Sequence, residues 1–122
     1  MILVETQLRV ADNSGATRVR CIGMITASGS RVAKVGDAIL VSVRSCNSGG
    51  KAKKGSVYGA IVVRTVSSVR RKDGMNIRFD DNAVVLVDRK TLEPAGTRVL
   101  GPIAREVRSI SGKIVSLADE VL

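Results

Sequence analysis

The sequence contains no histidine and no tryptophan, and its 122 residues include one tyrosine, one phenylalanine, two prolines and two cysteines. Each shortage removes a class of function. Without histidine the chain lacks the usual general base for hydrolytic or thiol catalysis near neutral pH, and it has no imidazole to offer a zinc site. Cys21 and Cys46 have no CxxC spacing, so neither a disulfide framework nor a metal knuckle is indicated, and both are expected to be reduced thiols. So few rings leave almost no platforms for splayed bases, which disfavours a single-strand reader built on stacking. The apolar start, Met1-Ile2-Leu3-Val4, is cut by Glu5. That is too short for a secretory hydrophobic region or a membrane span, and a soluble, intracellular protein with no membrane partner is expected.

Acid is missing over one window. Between Asp37 and Asp73 there is no carboxylate, while Arg44, Lys51, Lys53, Lys54, Arg64, Arg70, Arg71 and Lys72 supply eight cations. The whole chain has 20 Lys and Arg against 11 Asp and Glu, a net charge of +9. Charge this uneven points to a polyanion-binding surface.

What is present reads as strands. Val57 to Val66 is apolar almost throughout, as expected of a strand buried on both faces or closed into a barrel. The chain turns basic at Val69-Arg70-Arg71-Lys72 and meets Asp73-Gly74, a dipeptide suited to a two-residue hairpin turn with positive φ at both central positions. Met75, Ile77 and Phe79 alternate with Asn76, Arg78 and Asp80 on the returning strand, and a turn at Asp80-Asp81-Asn82 leads into apolar Ala83 to Val87. Upstream, Thr6, Leu8 and Val10 alternate with Gln7 and Arg9. Thr17 to Ile25 then carries Arg18 and Arg20 on one face and Val19 and Cys21 on the other. Thr26 to Arg31 reads as a loop, and Ala38 to Arg44 turns Ile39, Val41 and Val43 inward. Downstream, Pro94 to Arg98 breaks any strand. Gly101-Pro102 followed by Ile103, Val107 and Ile110 predicts a short amphipathic helix, with a further single turn over Ser116 to Glu120. Short strands joined by Gly-rich turns, with helix only at the end, imply a mainly β fold: a small closed barrel without open sheet edges, in a single domain over residues 1–122.

Ser45 to Ser56, with Gly49-Gly50 followed by three lysines, invites comparison with a phosphate-gripping loop. The comparison fails, because Ser45 stands where the first glycine is required and Ala52 where the magnesium-binding hydroxyl is required. The segment is read as a mobile basic finger for backbone phosphates. Asp80-Asp81-Asn82 could bind a hard cation but is the ordinary chemistry of a turn. No catalytic residue, metal, cofactor or small-molecule substrate is expected. Thirteen of the 20 basic residues are arginine, which suits bidentate contact with phosphates. Folded RNA, recognised by backbone shape and charge, is preferred over a DNA major groove because no recognition helix is visible.

With these residues laid out, the chain closely resembles the large-subunit ribosomal protein L-fourteen family of bacterial and organellar type. Ala60-Ile61-Val62-Val63, Asp73-Gly74, Phe79, Asn82 and Val85-Leu86 follow that family's signature in order. The resemblance extends through Val10-Ala11-Asp12-Asn13-Ser14-Gly15-Ala16, Val35-Gly36-Asp37, Lys53-Lys54-Gly55, Gly96-Thr97-Arg98, Gly101-Pro102, Arg105-Glu106 and Lys113-Ile114-Val115-Ser116-Leu117-Ala118. Departures are Val32 in place of an aromatic, Ser48 and Asp119 in place of prolines, and Leu100 in place of a phenylalanine.

The resemblance implies a five-stranded barrel with a projecting hairpin and a short helical C-terminal part. It implies a structural constituent of the large ribosomal subunit that binds large-subunit rRNA and meets small-subunit rRNA across the subunit interface. Neighbouring large-subunit proteins numbered three and nineteen, and a ribosome-silencing factor, are the implied protein partners. The location is the ribosome, in a bacterial cytoplasm or an organelle matrix or stroma. By position, Arg44, Lys51, Lys53, Lys54, Arg64, Arg70, Arg71, Lys72 and Arg78 are the expected RNA contacts, and Arg98, Arg105 and Arg108 the expected subunit-interface residues. The competing readings are an RNA-handling barrel factor that cycles on and off its target, and a magnesium-dependent nucleotide enzyme.

Overall fold

Period-two patterning closes the middle of the chain on itself. The computed structural model describes residues 2–26, 31–47, 49–50 and 52–122. In chain order they form β1 (Ile2–Leu3), β2 (Gln7–Val10), β3 (Ala16–Met24), β4 (Val32–Ala33), β5 (Ala38–Cys46), β6 (Val57–Arg64), β7 (Val69–Arg70), β8 (Asn76–Ile77), β9 (Ala83–Val87) and β10 (Val99–Ile103). A 3-10 turn at Arg105–Ser109, helix α1 (Gly112–Leu117) and β11 (Ala118–Val121) complete the chain. β2, β3, β5, β6 and β9 make a closed barrel, all antiparallel except the β2–β9 seam that shuts it. Closure leaves these five strands without an open edge.

The continuous apolar runs of β6 and β9 have a double cause. Ala60, Val62, Val84 and Leu86 point into the barrel with Leu8, Val19, Ile39, Val41 and Val43. Ile61, Val63, Val85 and Val87, one residue out of phase, pack instead beneath Val99, Ile103, Val107 and Ile114 of the C-terminal part. The strands are thus buried both by closure and by a second layer. β2, β3 and β5 have no such cover over their Gln7, Arg9 and Arg18 positions, and they alternate buried with exposed residues.

Two expectations for the C-terminal part are corrected. Pro102 does not begin a helix: it lies within β10, which pairs parallel with β11 through Val99–Ala118, Pro102–Glu120 and Ile103–Val121. The helical turns come later, at Arg105–Ser109 and Gly112–Leu117, where Ser111 Oγ accepts the Ile114 amide at 3.4 Å. The expected turn over Ser116 to Glu120 is the end of that helix followed by strand. Ile103 and Val107 are nevertheless buried as their spacing implied, because the extended and helical routes bury the same side chains.

The hairpin also turns differently. Gly74 has φ of 87°, but Asp73 is not left-handed, and the Gly74 amide donates to the Arg71 carbonyl at 3.1 Å. The loop is therefore the three residues Lys72-Asp73-Gly74, a turn closed by a left-handed glycine. Asp73 Oδ1 fixes it by accepting the Met75 amide at 3.0 Å.

The expected finger is tied down along its described residues. The Asn47 amide donates to Gly15 O at 2.7 Å, Ala52 N to Ser14 O at 3.1 Å, and Gly55 N to Val43 O at 2.9 Å. Lys51, and part of the loop expected over Thr26 to Arg31, lie outside the described residues.

Candidate nucleic-acid interface

The acid-free window of the sequence is not one patch in space. β6 separates its two halves: Lys53 and Lys54 precede the strand and the β7–β8 hairpin follows it. Eight extended residues at ~3.3 Å each put the two halves roughly 25 Å apart, at opposite ends of the barrel.

At one end, Lys53 and Lys54 are exposed on a turn whose backbone is bonded to Val43, beside exposed Arg44. At the other end, Arg70, Arg71, Lys72, Asp73, Arg105 and Glu106 line one concavity of about 490 Å³. That hollow unites a hairpin and a C-terminal arginine 35 residues downstream of Arg70, one expected at the rRNA and the other at the subunit interface. Arg78 lies apart from both groups, lining a hollow of about 510 Å³ with Arg9, Phe79 and Asp81. Arg98 and Arg108 are exposed, and the backbone at Arg98 is held by Asn13 Oδ1, which accepts the Thr97 and Arg98 amides at 2.8 and 3.1 Å.

Two arginines leave the set of free cations. Arg64 is buried, with Nη1 donating to the carbonyls of Leu100 (3.1 Å) and Pro102 (3.2 Å). Its Nη2 donates to Asp81 Oδ2 at 3.4 Å, while Nε faces Oδ1 at 3.1 Å as a charge contact without hydrogen-bond geometry. Arg64 thus braces β10 against the barrel. The brace requires Gly101, which has φ of 78°, and a Cβ there would overlap Arg64 Nη1. Nothing in the sequence sets Arg64 apart, since an arginine ending a strand looks alike whether it points in or out.

Arg71 is the second. Its Nη2 lies 2.7 Å from Glu106 Oε1, Nε lies 3.3 Å from Oε2, and Nη2 also donates to the Leu122 carbonyl. The side chain is only 11% exposed. It anchors the hairpin to the C-terminal segment, leaving exposed Arg70 and Lys72 to face outward. Sequence reading missed Glu106 as the anchor because the pair is non-local.

Among the described residues, Arg44, Lys53, Lys54, Arg70, Lys72, Arg78 and Arg105 have no carboxylate within ion-pair distance. The cations are therefore available to an external anion. The described residues also bring together no group of three His, Cys, Asp or Glu that could hold a metal ion.

The sequence matches the family model described as Ribosomal protein L14p/L23e over residues 1–122. The chain belongs to the L14p/L23e family. As a member it is a structural protein of the large ribosomal subunit, working among ribosomal RNA and ribosomal proteins. The L14p/L23e family is structural rather than enzymatic.

Proposed function

We propose that this chain binds large-subunit rRNA by neutralising phosphates at the two ends of its barrel, and that it contributes to the intersubunit interface. One observation carries the reading: unpaired, exposed cations stand at both ends of a closed barrel, with Lys53 and Lys54 at one and Arg70 and Lys72 at the other. Fixed spacing between basic groups favours an RNA whose folding brings matching phosphates together, and each neutralised phosphate releases counterions. Arg44 and Arg78 extend these contacts, and Lys51 belongs with Lys53 and Lys54 by sequence position. Arg64 contributes through the fold and Arg71 through the hairpin's anchor.

Arg98, Arg105 and Arg108 of the C-terminal part contact small-subunit rRNA. Large-subunit proteins three and nineteen are the protein neighbours, and a ribosome-silencing factor docks on this same protein. The ribosome is that of a bacterium or of an organelle derived from one, as the family-type motifs from Val10 to Ala118 suggest.

Sucrose-gradient sedimentation tests this. A stoichiometric component stays with the large subunit after a high-salt wash, whereas recovery of the chain at the top of the gradient identifies a cycling factor and refutes the structural role.

A further inference from the structure

A row of arginines crosses the wall of the barrel, and all of them but Arg44 lie outside the acid-free window of the sequence. In the antiparallel β2–β3 pair, Arg9 stands directly opposite Arg18, and Gln7 opposite Arg20. Their Cβ atoms are therefore about 5 Å apart, and like charges so placed repel one another. On the far side of β3 the register slips, pairing Arg18 with Ser45 and Val19 with Val43, so that exposed Arg44 lies in the bulge beside Arg18. On the other side, Arg9 and Arg78 line one hollow. The cations thus follow one another across three strands: Arg44, Arg18, Arg9, Arg78.

This arrangement is unfavourable for the isolated protein. Arg9 has Asp81 at 3.6 Å, but that carboxylate already serves Arg64. Among the described residues, Arg18 and Arg20 have no ion-pair partner, and the Arg20 Nε is covered without a hydrogen-bond acceptor. Within the protein, the opposed charges are offset only in part, by an Asp81 carboxylate that Arg9 shares with Arg64. An external polyanion offsets them at once, and the residues that the register sets opposite Arg18 and Arg20 on the neighbouring strands, besides Arg9, are the uncharged Gln7, Ser42 and Ser45.

We propose that the outer face of β2, β3 and β5 is a third RNA-binding surface, on which a phosphodiester backbone runs from Arg44 over Arg18 and Arg9 to Arg78. This deepens the rRNA-binding reading and rests on it. The occupant is an RNA backbone because the row is linear and made of arginine, and the aromatic side chain beside it, Phe79, is buried, which fits repeated phosphates and no base reading. Arg20 supports the row from β3, opposite Gln7.

The test uses the full chain and deproteinised large-subunit RNA from the same source, with affinity measured across a salt series. Three doubles are compared with the parent: Arg18→Gln with Arg20→Gln, Arg70→Gln with Lys72→Gln, and Arg18→Lys with Arg20→Lys. The first lowers the salt slope by about 1.5 units, for two lost contacts at ~0.7–0.9 each, and the lysine pair restores it. Because the first pair relieves repulsion, its melting midpoint stays level or rises by about 1–4 °C, whereas a structural role for these arginines lowers it. If the hairpin pair loses slope and the Arg18–Arg20 pair does not, the sheet face is no RNA surface and the barrel-end reading stands. If neither loses slope, the rRNA-binding reading itself fails and this surface with it.

Discussion

Arg71 and Glu106 lie 2.7 Å apart across 35 residues of sequence, and this pair fixes the basic hairpin to the C-terminal segment. With Glu106 31% exposed and Arg71 11% exposed, the pair is sheltered enough to matter and open enough to be discounted from a fully buried one. Arg71→Gln should cost about 1–3 kcal/mol in a denaturant titration. Arg70→Gln, one residue away and exposed, should leave stability within about 0.5 kcal/mol while weakening RNA binding. Equal stability loss in both variants would contradict the division of labour between them.

The Arg64 brace makes a second prediction. Arg64→Met retains the stem but strands the Leu100 and Pro102 carbonyls and leaves Asp81 to Arg9 alone, at a cost of about 2–4 kcal/mol by thermal or chemical unfolding. Gly101→Ala should destabilise in the same direction, through strain at positive φ and overlap with the guanidinium. Combining the two changes should cost less than their sum, because the overlap disappears with the guanidinium.

Asp12 makes the fold sensitive to pH. Burial pushes its carboxyl above the ordinary 3.8, against hydrogen bonds from Ser14 and the Leu86 amide that favour the charged form. A raised folded-state value means the folded protein holds this proton more tightly than the unfolded chain. Asp12 therefore contributes most stability below 3.8, and that contribution is lost as pH rises through its folded-state value. Asp12→Asn should remove this slope in unfolding experiments from pH 3.5 upward. It should also lower stability by about 1–3 kcal/mol, because an amide nitrogen cannot accept in place of the second oxygen.

The two thiols should differ in reactivity. Cys21 is fully buried in the barrel, its thiol pushed up by burial, while Cys46 is half-buried at the end of β5. A thiol reagent should modify Cys46 in the native state and Cys21 only on unfolding. Rapid native labelling of Cys21 would mean the barrel opens far more often than its packing implies.

The barrel was legible because β2, β3, β5, β6 and β9 write their burial directly into period two or into unbroken apolar runs. The C-terminal part was misread in backbone but not in burial. Ile103, Val107 and Ile110 carry a helical spacing, and it is non-local bonds, from Arg64, from the β11 pairing and from the Leu100 amide to the Ala11 carbonyl, that hold Val99 to Ile103 extended. The same limit governs the site. Arg64 and Arg71 are identical in type to exposed neighbours, and what withdraws them is a carboxylate 17 or 35 positions away. The basic window looked continuous because its charges were counted along the chain, although the strand read over Val57 to Val66 already spaces its two ends apart.

The most direct test of the account is a cryo-electron map of the parent large subunit at side-chain resolution. The account predicts RNA phosphates within about 4 Å of Lys53 or Lys54 at one end of the barrel and of Arg70 or Lys72 at the other, with Arg64 still bonded to Leu100 and Pro102. A map in which those lysines and Arg70 face only protein or solvent, with RNA meeting the chain elsewhere, would contradict it.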